Sequence, residues 1–186
     1  MRLVLAASAV WALAACSTPP RLNYDLSAID GGFAARAGRR GQLVILEPTA
    51  ILPIASNRIV VRTGADVVAY LTGAQWADQL PVLVQTRLIE TFQNARLLRA
   101  VGRPGMLADY SLRTDIRRFE LDVAGNQAVV EISAQLVGSS GRILAGKVFS
   151  ASAPAERDDG PTITRALDAA LADVMRQIVA WTAPQI

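Results

Sequence analysis

Residues 110–149 read YSLRTDIRRFELDVAGNQAVVEISAQLVGSSGRILAGKVF. Tyr110, Leu112, Thr114 and Ile116 share one side of an extended chain, with Arg113, Asp115 and Arg117 opposite. That period of two is the mark of a half-buried strand. The alternation changes phase near Arg118-Phe119, as a β-bulge would make it do. Gly125-Asn126 is a hairpin turn signal. Ala128, Val130, Ile132, Ala134 and Leu136 then alternate with Glu131, Ser133 and Gln135. Gly138-Ser139-Ser140-Gly141 turns the chain again, and Ile143, Ala145 and Phe149 continue the sheet. Lys147 interrupts their face, which predicts a strand close to a sheet edge. The stretch therefore reads as a three-stranded antiparallel meander.

On both sides of this meander the period changes to that of a helix. Leu80, Val84, Leu88 and Phe92 recur every four residues, with Leu83 beside them, an apolar stripe over Leu80–Ala95. Pro81 is tolerated only in a first turn, so the helix begins near Leu80. Trp76 then falls on a preceding turn, folded back on the helix. Ile163, Leu167, Ala170, Val174, Ile178 and Trp181 give a second helix over Thr162–Trp181, stopped by Pro184. Asp158 and Asp159 precede its positive end, where negative charge is favourable. Further upstream, Leu22–Ala28 reads as a first strand, and Gln42–Glu47 as an apolar strand stopped by Pro48. Arg58–Arg62 and Val67–Leu71 suggest a hairpin around Thr63-Gly64-Ala65-Asp66. Leu97–Val101 reads as a short strand before Gly102-Arg103-Pro104-Gly105. The fold class expected is α+β, an antiparallel β-sheet with two amphipathic helices packed on one face. No internal repeat at solenoid or propeller periods is present.

Composition narrows the chemistry. The chain has 186 residues, 19 Lys+Arg, 16 Asp+Glu, one cysteine and no histidine. Without histidine, Ser-His-Asp, Cys-His and His-ligated metal schemes are excluded. One cysteine allows neither an intramolecular disulfide nor a cysteine-based zinc site. The basic side chains are all arginine apart from Lys147, and a net charge of +3 is weak support for nucleic acid as partner.

The lone cysteine has a place of its own. Met1-Arg2 is followed by an apolar run from Leu3 to Ala15 and then by Cys16. A positive start, a short apolar stretch and small residues before a cut site make a secretory signal peptide over residues 1–15. Leu13-Ala14-Ala15-Cys16 resembles the lipobox of bacterial lipoproteins. That resemblance implies cleavage before Cys16 and acylation, palmitate included, of its sulfur and new amino group. An ordinary secreted protein with a chance cysteine is the plainer alternative. Two or more acyl chains give stable membrane attachment. Ser17, rather than Asp, follows the cysteine, which by analogy with Gram-negative sorting favours the outer membrane, periplasmic face. Residues 16–21, with Ser17-Thr18-Pro19-Pro20, form the lipidated tether, and 22–186 a single domain.

No catalytic constellation stands out. Glycine loops at 31–41 lack the strand–loop–helix context of a phosphate cradle. Glu120 and Asp122 share a strand face, so a metal or acid/base pair is conceivable, but an exposed polar edge is the plainer reading. Arginine's fixed charge suits binding or structure. Arg58 and Arg62, on one face of a strand at i, i+4, suit a phosphate headgroup or acidic partner, or simply a solvated outer face. Trp76 suits a partner groove or a packing anchor. Arg36, Arg39 and Arg40 suit anionic headgroups near the anchor, or a solvated loop.

In order along the chain stand a lipobox cysteine, Tyr24-x-Leu26, an apolar strand, Asn57-Arg58-Ile59-Val60-Val61-Arg62 and a short strand ending near Tyr70. Gln75-Trp76-Ala77-Asp78-Gln79-Leu80-Pro81 follows, and later Asp109-Tyr110-x-Leu112 with Phe119-Glu120. This order resembles the ABC-type transport auxiliary lipoprotein family, which includes paraquat-inducible protein C. Asn57 to Phe92 carries the most specific part, and the likeness runs over most of Leu22 to Trp181. The resemblance implies a non-enzymatic, periplasm-facing lipoprotein that works with an MCE-domain protein, a permease and an ATPase in moving lipids between membranes. Only Cys16 carries over as a functional residue, the acylation site; beyond that covalent lipid no cofactor and no metal are expected. Arg58, Arg62 and Trp76, where the pattern is densest, are the candidate partner or lipid interaction surface.

The expected function is a docking or tunnel component of an MCE-type lipid transport system. The alternative is a regulatory outer-membrane lipoprotein that activates an envelope enzyme such as a peptidoglycan synthase. A third reading is a lipid-binding protein with its own cavity. A tunnel partner with cyclic symmetry would favour a ring of copies, so a homo-oligomer stays open.

Overall fold

The computed structural model describes residues 20–33, 40–105 and 107–186. The signal peptide, Cys16, most of the tether, and Arg36 and Arg39 lie outside the described residues. The strands are β1 (Leu22–Tyr24), β2 (Arg40–Ile45), β3 (Thr49–Ala50), β4 (Arg58–Arg62), β5 (Val68–Trp76), β6 (Leu98–Gly102), β7 (Tyr110–Asp122), β8 (Gln127–Gly138) and β9 (Ile143–Pro154). The helices are α1 (Leu80–Ala95) and α2 (Gly160–Thr182), followed by a short 3₁₀ turn at Ala183–Gln185. The α+β class holds, with both helices on one sheet.

β7 is the spine. Along one edge it pairs antiparallel with β8 for its whole length, and β8 pairs antiparallel with β9. A register shift between Ile116 and Arg118 moves the buried series from Leu112, Thr114 and Ile116 to Phe119 and Leu121. The bulge is what lets a strand of 13 residues keep one apolar face while twisting.

The other edge of β7 differs from the purely antiparallel sheet read from the sequence. Three short strands share it in chain order, all parallel to it: β2 against Tyr110–Leu112, β3 against Asp115–Ile116 and β4 against Glu120–Asp122. Pro48, which cannot donate to a ladder, separates β2 from β3, and the 51–57 loop separates β3 from β4. β6 extends the sheet parallel to β2, and β1 parallel to β5. The hairpin β4–β5 is antiparallel as expected. The sheet is thus mixed.

β5 is longer than its sequence suggested. Its register against β4 shifts between Arg58 and Val60, and Gly73 takes φ 74° there, a conformation that disfavours any Cβ. The kink carries the chain on as strand, so Trp76 ends β5 instead of sitting on a turn. The first strand is shorter than read: the Asp25 carboxylate accepts from the Leu26 N–H at 2.8 Å and turns the chain. Residues 25–30 then run across both helices. Asp25 pairs with Arg87 of α1 at 2.6 Å, the Ser27 N–H donates to Asp168 of α2 at 2.7 Å, and the Ile29 N–H to Thr91 of α1 at 3.1 Å.

The first helix starts where the sequence predicts, and the second starts two residues earlier than Thr162, at Gly160. α1 begins at Leu80 with Pro81 in its first turn. α2 is capped by Asp159, whose carboxylate accepts from the Thr162 N–H at 2.8 Å. Their stripes are fully buried: Leu80, Val84, Leu88 and Phe92 on α1, and Ile163, Leu167, Ala170, Val174 and Ile178 on α2. Trp181 packs edge-on to Phe149 at 5.5 Å. α2 covers β8 and β9, and α1 lies beside it over β2 and β6. Burying apolar area at about 25 cal/mol per Å² makes this layer the main source of stability.

Candidate interaction surface

The three residues singled out by sequence are not one open surface. Trp76 is 1% exposed and packs edge-on to Phe119, centroids 5.7 Å apart. Its ring is a core anchor and cannot be offered to a partner in this fold. Arg58 and Arg62 lie either side of the β4–β5 irregularity, with Ile59, Val60 and Val61 all buried between them. Arg58 is exposed and stacks its guanidinium over Tyr70, 3.8 Å from the ring centroid. Such a stack leaves its N–H edges free to meet an anion.

Arg62 is committed inside the protein. Its Nε donates to Glu120 Oε1 at 2.8 Å and its Nη2 to Oε2 at 3.0 Å, a bidentate pair, while Nη1 reaches the Ala65 carbonyl at 3.2 Å. Arg118 Nε also donates to Glu120 Oε1, at 2.8 Å. Glu120 is 1% exposed, so it is neither an exposed polar edge nor a free acid. Burial pushes its carboxyl up, but the hydrogen bonds and charges of Arg62 and Arg118 outweigh that and hold it below the ordinary carboxylate value. The same bonds raise Arg62 above its own. A carboxylate locked between two guanidinium groups has no proton to exchange near neutrality. Asp122, its partner in the proposed acid/base pair, lies 3.8 Å from Arg118 Nη2. Among the described residues no cluster of three His, Cys, Asp or Glu side chains is placed to hold a metal ion.

The structure adds a surface the sequence did not flag. On the sheet face turned away from the helices, two hollows of 420 and 480 Å³ adjoin, sharing Leu46 and Arg113. Polar residues dominate the lining of the first: Glu47, Thr49, Asp115, Ser133 and Gln135. The second is lined by more apolar residue types, with Val44, Leu107, Tyr110, Val137 and Ile143. They form where β2 leaves the β7 edge at Leu46–Pro48, so the spine's outer face lies uncovered there. Thr49 Oγ1 donates to Asp115 at 2.7 Å across this gap. The available signal was the apolar residues at outward positions, Val44, Leu46 and Val137, which a wholly solvated face would not carry.

No described helix is long and apolar enough to cross a membrane. The family model of the ABC-type transport auxiliary lipoprotein component matches residues 24–179. The chain belongs to this family. The family is described as an auxiliary lipoprotein component of ABC-type transport, a description that implies attachment to a membrane on the periplasmic side. Protein XCC0632 of Xanthomonas campestris has a similar crystal structure, with TM-score 0.78 and 28% identity, over 87% of this chain and 95% of that one. A crystal structure of an uncharacterized protein shares the fold at TM-score 0.71 and 16% identity, covering 88% of this auxiliary lipoprotein and 99% of that chain. The uncharacterized protein bll6063 of Bradyrhizobium diazoefficiens is 31% identical over 165 residues, 87% of this chain. The chain spans 45% of the length of that curated relative.

Proposed function

We propose that this auxiliary lipoprotein is the non-catalytic docking or tunnel subunit of an MCE-type system that moves lipid between membranes. It is held by acyl chains on Cys16 at the periplasmic face of the outer membrane. The observation that carries the reading is the family match over residues 24–179. Two structural facts support it. Glu120 and Asp122, the conceivable acid/base pair, are engaged by Arg62 and Arg118. The helix side of the sheet is covered by α1 and α2, with residues 25–30 bonded across them, which leaves the opposite face, with the hollows that share Leu46 and Arg113, as the broad surface for contact. Residues 1–15 act as signal peptide, 16–21 as tether and 22–186 as the docking domain.

Co-purification tests this directly. The lipidated full chain, extracted in mild detergent, is expected to bring down an MCE-domain protein from its own envelope. Failure to do so with lipidation intact would refute the reading. Cys16→Ala is expected to release the chain from the membrane fraction or stall its processing; unchanged lipid labelling of that variant would refute the anchor.

A further inference from the structure

The sheet has one long unpartnered edge. Among the described residues β9 pairs with β8 alone, and it runs 12 residues from Ile143 to Pro154. The other terminal strands, β1 and β6, have 3 and 5 residues. An open edge is a row of unpaired N–H and C=O groups, usually shortened, charged or covered in natural proteins. β9 is neither short nor, among the described residues, paired on its outer side, and it carries a single charge, Lys147. Ile143, Leu144 and Val148 are 57%, 49% and 45% exposed, and no proline interrupts it before Pro154.

Which groups face outward follows from the ladder. The Ala155 N–H donates to the Asn126 carbonyl at 3.0 Å, one step beyond the pairing of Gln127 with Pro154. Hydrogen-bonded and non-bonded pairs alternate in an antiparallel ladder. Odd-numbered residues from Ala153 back to Ala145 therefore bond to β8. Gly146, Val148, Ser150 and Ser152 turn both backbone groups to the free edge. Pro154, which has no N–H, falls in the outward series and costs the ladder nothing.

One charged side chain marks this edge: Lys147, the only lysine of the chain, with its ammonium 5.3 Å from the Phe149 ring centroid. β9 itself contains no acidic residue. A second copy paired edge to edge would bring a second lysine and no carboxylate.

We propose that β9 is a strand-addition site for an extended segment of a different polypeptide. That segment adds a tenth strand through the outward groups of Gly146, Val148, Ser150 and Ser152, with an acidic residue facing Lys147. Main-chain bonds supply affinity, and the lysine discriminates against self-pairing. Taking the added strand to belong to the MCE-domain protein rests on the docking function proposed above; the edge itself does not depend on it.

The test uses the full lipidated chain in its own membranes with a photo-crosslinking phenylalanine derivative at Ser152, and at Arg99 on β6 as control. The expected result is a crosslink from position 152, not 99, to another polypeptide. Mass spectrometry should map it to an extended segment with Asp or Glu aligned to Lys147. Ser150→Pro removes an outward N–H without touching the β8 ladder, and Lys147→Glu reverses the charge. Each should cut the crosslink at least tenfold with an unchanged circular dichroism spectrum; if Ser150→Pro does not fold, Lys147→Glu carries the test. A crosslink to β9 of a second copy, no crosslink at 152, or one indifferent to the folded variants would overturn the proposal. Variants that still co-purify the MCE-domain protein with the 152 crosslink unchanged would sink the edge and leave the docking function standing. A matching crosslink to some other protein would do the reverse.

Discussion

The two edges of β7 are built differently. Its β8 edge is one uninterrupted antiparallel ladder between chain neighbours. Its other edge is assembled from β2, β3 and β4, three short parallel pieces that return from 50 or more residues away. The continuous side makes a smooth core under α2 and ends in the open strand β9. The broken side leaves gaps, and the gaps hold the distinctive features: the hollow around Leu46 and Arg113, and the Arg62–Glu120–Arg118 cluster. Local pairing gives regular structure, and long-range pairing makes the places where polar groups must be matched.

The largest expected effect breaks the continuous side. Ile132 is fully buried, and Ile132→Asp strands a carboxylate under α2. A loss of more than about 4 kcal/mol, enough to unfold the domain, is expected in urea melts. Gln135→Asp, on the exposed outer face of the same strand and opposite Arg113, should stay within about 0.5 kcal/mol. Equal effects would show that the two faces of β8 are not distinguished by burial.

On the broken side Arg62→Ala leaves Glu120 buried with half its compensation, at a cost of about 3 kcal/mol. Acid should probe the same cluster. Glu120 titrates lower folded than unfolded, so its stabilisation is complete above the unfolded carboxylate value of about 4.3 and is lost as pH falls through the folded value. Glu120→Gln should flatten that part of the pH–stability curve; an unaltered acid limb would remove the cluster from the account.

Gly41 tests how the end of the broken side is closed. It holds φ 68°, and a Cβ there would lie 2.0 Å from Cγ2 of Ile186. Gly41→Ala should cost about 1–2 kcal/mol; deleting Ile186 should relieve the clash but not the strained φ. Smallest is Asp159→Ala, which removes the α2 cap for about 1 kcal/mol, read as a shift in thermal midpoint.

This contrast also explains what the sequence disclosed. The meander, its bulge and both helices were legible because their signals are local: alternation, Gly125-Asn126, stripes every three or four residues, Pro81 and Asp159. Parallel pairing leaves no such mark, since β2 and β7 meet across more than 60 residues. The ion pair of Arg62 with Glu120 spans 58 positions, so each looked like a free surface charge. The sequence points to a turn at Trp76 because the Gly73 kink, which keeps β5 extended, is a backbone event a single glycine does not announce. The outer hollow needed the break at Pro48 and the outward apolar residues to be read together, across three strands.

The proposal of a transport subunit is tested most directly by epistasis in cells. Loss of this chain, loss of the MCE-domain protein and loss of both are compared for lipid composition of the outer membrane. The expected result is one shared lipid defect, no greater in the double loss and reproduced by Cys16→Ala. Additive defects, or a peptidoglycan synthesis defect with normal lipid distribution, would contradict it and favour the enzyme-activating lipoprotein instead.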